Sequence, residues 1–166
     1  DNVIAISPYA FDDTNICANI TELRVSKNIK NIGDSAFCGC NNLTSIVVDT
    51  DNPRYDSRSN CNAIIETVSQ TLLLGCPNTR IPNGVLKISN FAFLHCKENL
   101  TSIFIPKSVN YIADKTFHDC PNLQSIVVDA KNQRYDSRDN CNALIEYDKL
   151  IVGCQNTIIP YGTRTI

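Results

Sequence analysis

Residues 112–128 read Ile112-Ala113-Asp114-Lys115-Thr116-Phe117-His118-Asp119-Cys120-Pro121-Asn122-Leu123-Gln124-Ser125-Ile126-Val127-Val128. The spacing of Ile112, Phe117, Cys120, Leu123, Ile126 and Val128 recurs as Ile32, Phe37, Cys40, Leu43, Ile46, Val48 and, with one extra residue before the leucine, as Ile88, Phe93, Cys96, Leu100, Ile103, Ile105. A weaker version opens the chain with Ile6, Phe11, Ile20, Leu23 and Val25. A unit of roughly two dozen residues cannot bury its own Leu, Ile and Phe, so successive units must cover one another, each forming one turn of a solenoid.

The end of each unit is a short strand. In Leu43-Thr44-Ser45-Ile46-Val47-Val48-Asp49 the alternation sends Ile46 and Val48 inward and Ser45, Val47 and Asp49 outward. Stacking such strands makes a parallel sheet. The segment from Gly33 to Phe37 is expected to form a short helical turn on the outer side of the coil, with Phe37 plugging the core.

A longer period overlies the short one. Residues 37–66 and 117–146 match at an offset of about eighty, most clearly in Arg54-Tyr55-Asp56-Ser57-Arg58 with Asn60-Cys61-Asn62-Ala63, against Arg134-Tyr135-Asp136-Ser137-Arg138 with Asn140-Cys141-Asn142-Ala143. The chain therefore reads as one domain of two long copies, about 3–82 and 85–166. It lacks an initial Met and stops inside the pattern at Ile159 to Ile166, so it is expected to be cut from a longer protein at both ends.

Each copy carries an insert that the short period does not explain. Cys61 to Glu66 with Thr71 to Cys76, and Cys141 to Glu146 with Lys149 to Cys154, read as β-hairpins. Regular pairing outward from either turn opposes Cys61 with Cys76 and Cys141 with Cys154. It puts Cys61, Ala63, Ile65, Leu72, Leu74 and Cys76 on one apolar face, with Asn62 and Glu66 on the other. These four cysteines are either disulfides or packed thiol pairs. Cys40, Cys96 and Cys120 share one repeat position and should stack as a buried column, whereas Cys17 and Cys38 fall off the repeat grid.

Composition narrows the function classes. Fifteen Lys and Arg against seventeen Asp and Glu leave a net charge of −2, with no basic field for nucleic acid. No apolar run reaches the roughly 20 residues of a membrane span. The nine cysteines include no C-x-x-C spacing and only His95 and His118 add imidazoles, so neither a metal nor another cofactor is expected. The repeated Arg-Tyr-Asp-Ser-Arg has no histidine in reach to activate its serine. It reads instead as structure, with Tyr55 and Tyr135 packed and Asp and Ser bonding turn backbone. Asp49 and Asp51 become Asp129 and Lys131 in the second copy, which argues against an acid pair or a calcium loop.

Ile105-Pro106-Lys107-Ser108-Val109, then Ile112, then Phe117-x-x-Cys120-x-x-Leu123-x-x-Ile126, resembles the BspA-type leucine-rich repeat of bacterial surface proteins, often called type 5. The likeness covers nearly the whole chain. It implies an α/β repeat fold: a leucine-rich-repeat solenoid with a stacked, mostly parallel sheet, short helical turns outside and two inserted hairpins. It also implies an exported protein at the cell surface, engaged in adhesion to host or microbial proteins or glycans.

A stacked sheet must present an outward row, here Glu22 and Arg24, Ser45 and Val47, Ser102 and Phe104, Ser125 and Val127. Phe104, Val47 and Val127 place apolar area on a face the short strands leave uncovered. The expected function is ligand binding or adhesion through that face to a protein or glycan, with a structural spacer as the alternative. An enzyme is not expected, because no acid, base or metal constellation assembles.

Overall fold

A computed structural model describes residues 2–96 and 99–166. The first coil contains β1 (Ala5–Ile6), the four-residue helix α1 (Thr14–Cys17) and β2 (Glu22–Val25); the second contains β3 (Asn31–Ile32) and β4 (Ser45–Val48). An insert follows, made of β5 (Tyr55–Asp56), β6 (Ala63–Glu66) and β7 (Thr71–Gly75). The third and fourth coils contribute β8 (Lys87–Ile88), β9 (Ser102–Ile105), β10 (Tyr111–Ile112) and β11 (Ser125–Val128). The second insert is β12 (Tyr135–Asp136), β13 (Leu144–Glu146) and β14 (Lys149–Val152).

The coils stack in register, with parallel pairing of β1 with β3, β2 with β4, β8 with β10 and β9 with β11. Along β2, β4, β9 and β11 the alternation is as the sequence predicts: Val25, Ile46, Val48, Ile103, Ile105, Ile126 and Val128 face the core. The sheet is not continuous, however. The first insert parts the inner strands into two separate pairs, β2 with β4 and β9 with β11. On the neighbouring flank β7 takes the place of a coil, pairing parallel with β8 on one side and antiparallel with β6 on the other.

The outer segments are tight turns rather than helix. Tyr9, Ser35 and Phe91 occupy one repeat position and sit at φ of +55°, +52° and +58°, a left-handed backbone that ends any helical run. Apart from α1, the described residues form single tight turns at Arg58–Asn60, Leu94–Cys96 and Arg138–Asn140, and the first and third of these are not helical, since Ser59, Asn60, Asp139 and Asn140 have positive φ. Phe37 does plug the core, stacked on Phe11 with ring centroids 5.4 Å apart, and Phe93 stacks on Phe117 at 5.5 Å.

The hairpins differ from the regular register. Glu66 opposes Thr71 and Ile65 opposes Leu72, but a bulge then leaves Leu73 unpaired, so that Ile64 opposes Leu74 and Ala63 opposes Gly75. The second hairpin repeats the shift, with Ile145 opposite Leu150 and Leu144 opposite Val152. One extra residue reverses the side-chain phase. Leu74 and Cys76 therefore join the core under the first two coils, with Ile64, while Cys61, Ala63, Ile65 and Leu72 join the core under the third and fourth. Both faces of the hairpin are buried, and it stands as a wall between two cores.

The expected opposition of Cys61 with Cys76 is consequently absent, since the two lie on opposite sides of that wall. Cys141 and Cys154 are separated likewise, Cys141 among Ala143, Ile145 and Leu150, and Cys154 against the core of the third and fourth coils. All nine cysteines are thiols. Cys96 has Cys76 and Cys120 near it, and of the three cysteines expected in one buried column Cys40 and Cys96 are buried while Cys120 is half-buried. Cys17, expected off the grid, is buried and hydrogen-bonded to the Cys40 thiol. The chain reaches that position three residues late, because α1 lengthens the first coil; from Cys17 to Ile20 the spacing is again that of Cys40 to Leu43.

The motif repeated in both copies closes the exposed edge of each coil pair. Asn52 Nδ2 donates to the carbonyls of Ser26 and Ile29, and its Oδ1 accepts the N–H groups of Arg54 and Tyr55. Asn132 makes the same four bonds with Pro106, Val109, Arg134 and Tyr135. Ser57 Oγ accepts the N–H of Val48 at 2.9 Å, and Ser137 Oγ that of Val128 at 3.0 Å. Asn62 Oδ1 accepts the N–H of Ile46. Side chains thus stand in for the missing next strand along β4 and β11, as buried backbone donors require. Tyr55 and Tyr135 are buried, and Asp56 and Asp136 each accept the N–H two residues on.

Candidate recognition surface

The outward positions of the inner strands form two patches rather than one row. Glu22 opposes Ser45 and Arg24 opposes Val47 on the first pair; Ser102 opposes Ser125 and Phe104 opposes Val127 on the second. In the first patch Arg24 and Glu22 are paired with each other at 2.7 Å, and Val47 is 39% exposed. In the second, Phe104 is 50% and Val127 46% exposed, side by side across the pair, flanked by exposed Ser102 and half-buried Ser125. Val47 does not join them. The base of the first insert, residues 57–62 and 76–81, lies between the patches because the hairpin occupies the intervening rung.

That interruption creates a feature the strand pattern does not reveal. Phe104 and Ser102 form one wall of a groove of about 860 Å³ whose other wall is Ser59, Asn60, Asn78 and Arg80. Two backbone details shape it: Ser59 and Asn60 are both left-handed, at φ +57° and +52°, and the Arg80 N–H donates to the Cys61 carbonyl at 3.0 Å. Thr79 Oγ1 accepts the Cys76 N–H at 2.7 Å, fixing the turn that carries Arg80. Strand alternation could not have found these residues, which sit on turns. The comparison of the two copies could have, because Arg80 and Ser59 align with Ile158 and Asp139 while their neighbours match.

The groups with chemical potential lie elsewhere and are held inert. His95 Nε2 is 3.8 Å from the Cys96 thiol, a contact that in an open site would suggest an activated nucleophile. Burial pushes the His95 imidazole down to about 4 and the Cys96 thiol well above its ordinary value, so both are neutral at pH 7 and neither meets solvent. Burial likewise raises Cys40 to about 12 and Cys61 and Cys120 to about 11. Among the described residues no group of three His, Cys, Asp or Glu side chains could hold a metal ion, and no helix is long and apolar enough to cross a membrane.

A family model described as BspA type leucine-rich repeat region, in six copies, matches residues 1–71 and 62–147. The chain belongs to this family. Two crystal structures share its fold. The pneumococcal vaccine antigen PcpA superposes with a TM-score of 0.60 at 18% identity, over 76% of this chain and 31% of that one. A leucine-rich repeat protein from Eubacterium ventriosum ATCC 27560 superposes with a TM-score of 0.57 at 19% identity, over 95% of this chain and 47% of that one. The BspA-type chain thus spans less than half the length of either. No curated protein matches it.

Proposed function

We propose that this BspA-type repeat region is a recognition module of an exported bacterial surface protein, and that it binds a protein or glycan partner through the inner strand face around Phe104. The observation that carries the reading is Phe104 itself. Half its surface is open, its neighbour Val127 is open too, and a groove lined by polar side chains runs beside them. An exposed aromatic at the rim of a polar groove suits binding and does nothing for the core. Family membership supports a role in binding, and the likeness to a pneumococcal antigen is consistent with surface display.

The test is a binding screen against immobilised host matrix proteins and a glycan array, with Phe104→Asp alongside. Saturable binding that the variant loses, with an unchanged melting temperature, is the expected result. Failure to bind any partner would favour a spacer that holds another domain away from the cell; binding unaffected by Phe104→Asp would place the ligand on another face.

A further inference from the structure

The groove beside Phe104 is lined by a cation, Arg80, that has no counter-ion among the described residues. The chain has seven arginines, and Arg24, Arg54, Arg58, Arg134, Arg138 and Arg164 each face a carboxylate at ion-pairing distance. Arg80 has no carboxylate partner among the described residues, although it is exposed and its backbone is fixed by the bond to Cys61. The side chains of Ser59, Asn60 and Ser102, which line the same groove, likewise make no hydrogen bond among the described residues.

The second copy separates what the fold requires from what this groove adds. Ile158 takes the place of Arg80 with the same backbone bond, to the Cys141 carbonyl at 2.9 Å. Asp139 takes the place of Ser59 at the same φ of +57°. Thr79 and Asn62, whose bonds hold the turn, are retained as Thr157 and Asn142. Backbone geometry is therefore indifferent to the arginine, and one position changes from cation to apolar residue while the other changes from neutral to anionic. An arginine that the turn does not need, with no carboxylate partner among the described residues and lining a groove of otherwise uncharged residues, is placed for an anionic ligand.

We propose that this groove binds a carboxylate-bearing saccharide, such as one containing a sialic or uronic acid. The inference rests on the recognition-face reading and names its ligand class. A guanidinium pairs with a carboxylate in two parallel hydrogen bonds, which an ammonium cannot imitate. The open ring of Phe104 offers a flat apolar surface to the C–H face of a pyranose. The hydroxyls of Ser59 and Ser102 and the amide of Asn60 supply both donors and acceptors for sugar hydroxyls. An acidic peptide would use the arginine too, but several negative charges would meet only one cation here, whereas one carboxylate among many hydroxyls matches the groove.

The test is calorimetric titration of the chain with 3′-sialyllactose and trigalacturonic acid, against lactose and a glutamate-rich hexapeptide, in wild type, Arg80→Ile, Ser59→Asp and Phe104→Asp. At least one acidic saccharide should bind tenfold or more tighter than lactose. Arg80→Ile and Ser59→Asp, the side chains the second copy carries, should each abolish that preference with no change in melting temperature. Equal affinity for acidic and neutral sugars, or an Arg80→Ile variant that binds as wild type, overturns the anionic-sugar proposal. The recognition face survives that result if Phe104→Asp still loses a ligand found in the wider screen. Peptide binding in place of sugar binding overturns the saccharide class. If Phe104→Asp loses nothing in either experiment, both readings fall.

Discussion

The phenol oxygen of Tyr55 accepts the backbone N–H of Ile32 at 3.2 Å, and Tyr135 does the same for Ile112 at 3.1 Å. Each tyrosine occupies the place where the next coil would have offered a carbonyl. The repeated motif is thus a device for ending one stretch of stacked coils against a hairpin. Removing the hydroxyl leaves a donor with no partner, which costs about 1–3 kcal/mol when the donor is buried. Tyr135→Phe should cost more than Tyr55→Phe, because Ile112 is buried and Ile32 only half-buried. Urea unfolding of the two variants checks this; equal stability with wild type would show that water replaces the hydroxyl.

Gly75 and Gly153 hold one position in the two copies but meet different surroundings. A Cβ on Gly75 would lie 2.4 Å from Cε1 of the fully buried Phe93, whereas a Cβ on Gly153 would come no nearer than 3.3 Å to Thr157. Gly75→Ala should therefore destabilise by about 1–3 kcal/mol through overpacking, and Gly153→Ala by much less. Thermal melts of the pair measure the difference, and similar melting temperatures would count against the close approach of β7 to Phe93.

Acid should destabilise the protein through His95. Its imidazole is held near 4 in the folded chain by burial, against about 6.5 when unfolded. Between those values the unfolded chain binds the extra proton, so stability is complete above pH 6.5 and falls as pH drops toward 4, by up to about 3 kcal/mol. Melting temperature followed from pH 7 to 4 should decline, and His95→Gln should flatten the decline. An unchanged slope in that variant would assign the acid lability to other groups.

Alkali acts through the thiols in the opposite sense. Cys40 is raised to about 12 and Cys61 and Cys120 to about 11, against about 8.5 in an unfolded chain. Their contribution is complete below pH 8.5 and is lost as pH rises toward 11, because the unfolded chain releases protons that the folded one retains. Melting temperature should hold to about pH 8.5 and fall from there to pH 10, less so for Cys61→Ala relative to its own value at pH 7.5. A flat profile in wild type would contradict burial of these thiols.

Much of the architecture was legible in the linear pattern. The spacing from Ile112 through Phe117 and Cys120 to Val128 specifies a coil, because side-chain direction in a short strand depends only on alternation. The offset of about eighty between the copies was legible too, as were the hairpins. Asn52 and Asn132 were overlooked, although both copies carry them, since an asparagine beside a turn has an adequate local role without the two bonds it makes to a coil more than twenty residues away.

The candidate site was legible only in its strand residues. Alternation places Phe104 and Val127 outward and adjacent. It does not reveal that Val47 is cut off from them, nor that Arg80, Ser59 and Asn60 close a groove against Ser102 and Phe104. Those contacts join turns that no period connects.

The sequence by itself determined the repeat, the coil and the inward face of each inner strand, because these follow from covalent spacing and local side-chain direction. Only the tertiary structure decided the bulges at Leu73 and Ile151, the division of the core, the fate of the paired cysteines and the groove beside Phe104. A hairpin packed on both faces must satisfy two cores at once, and one extra residue in a strand is the least change that turns its later side chains from one core to the other.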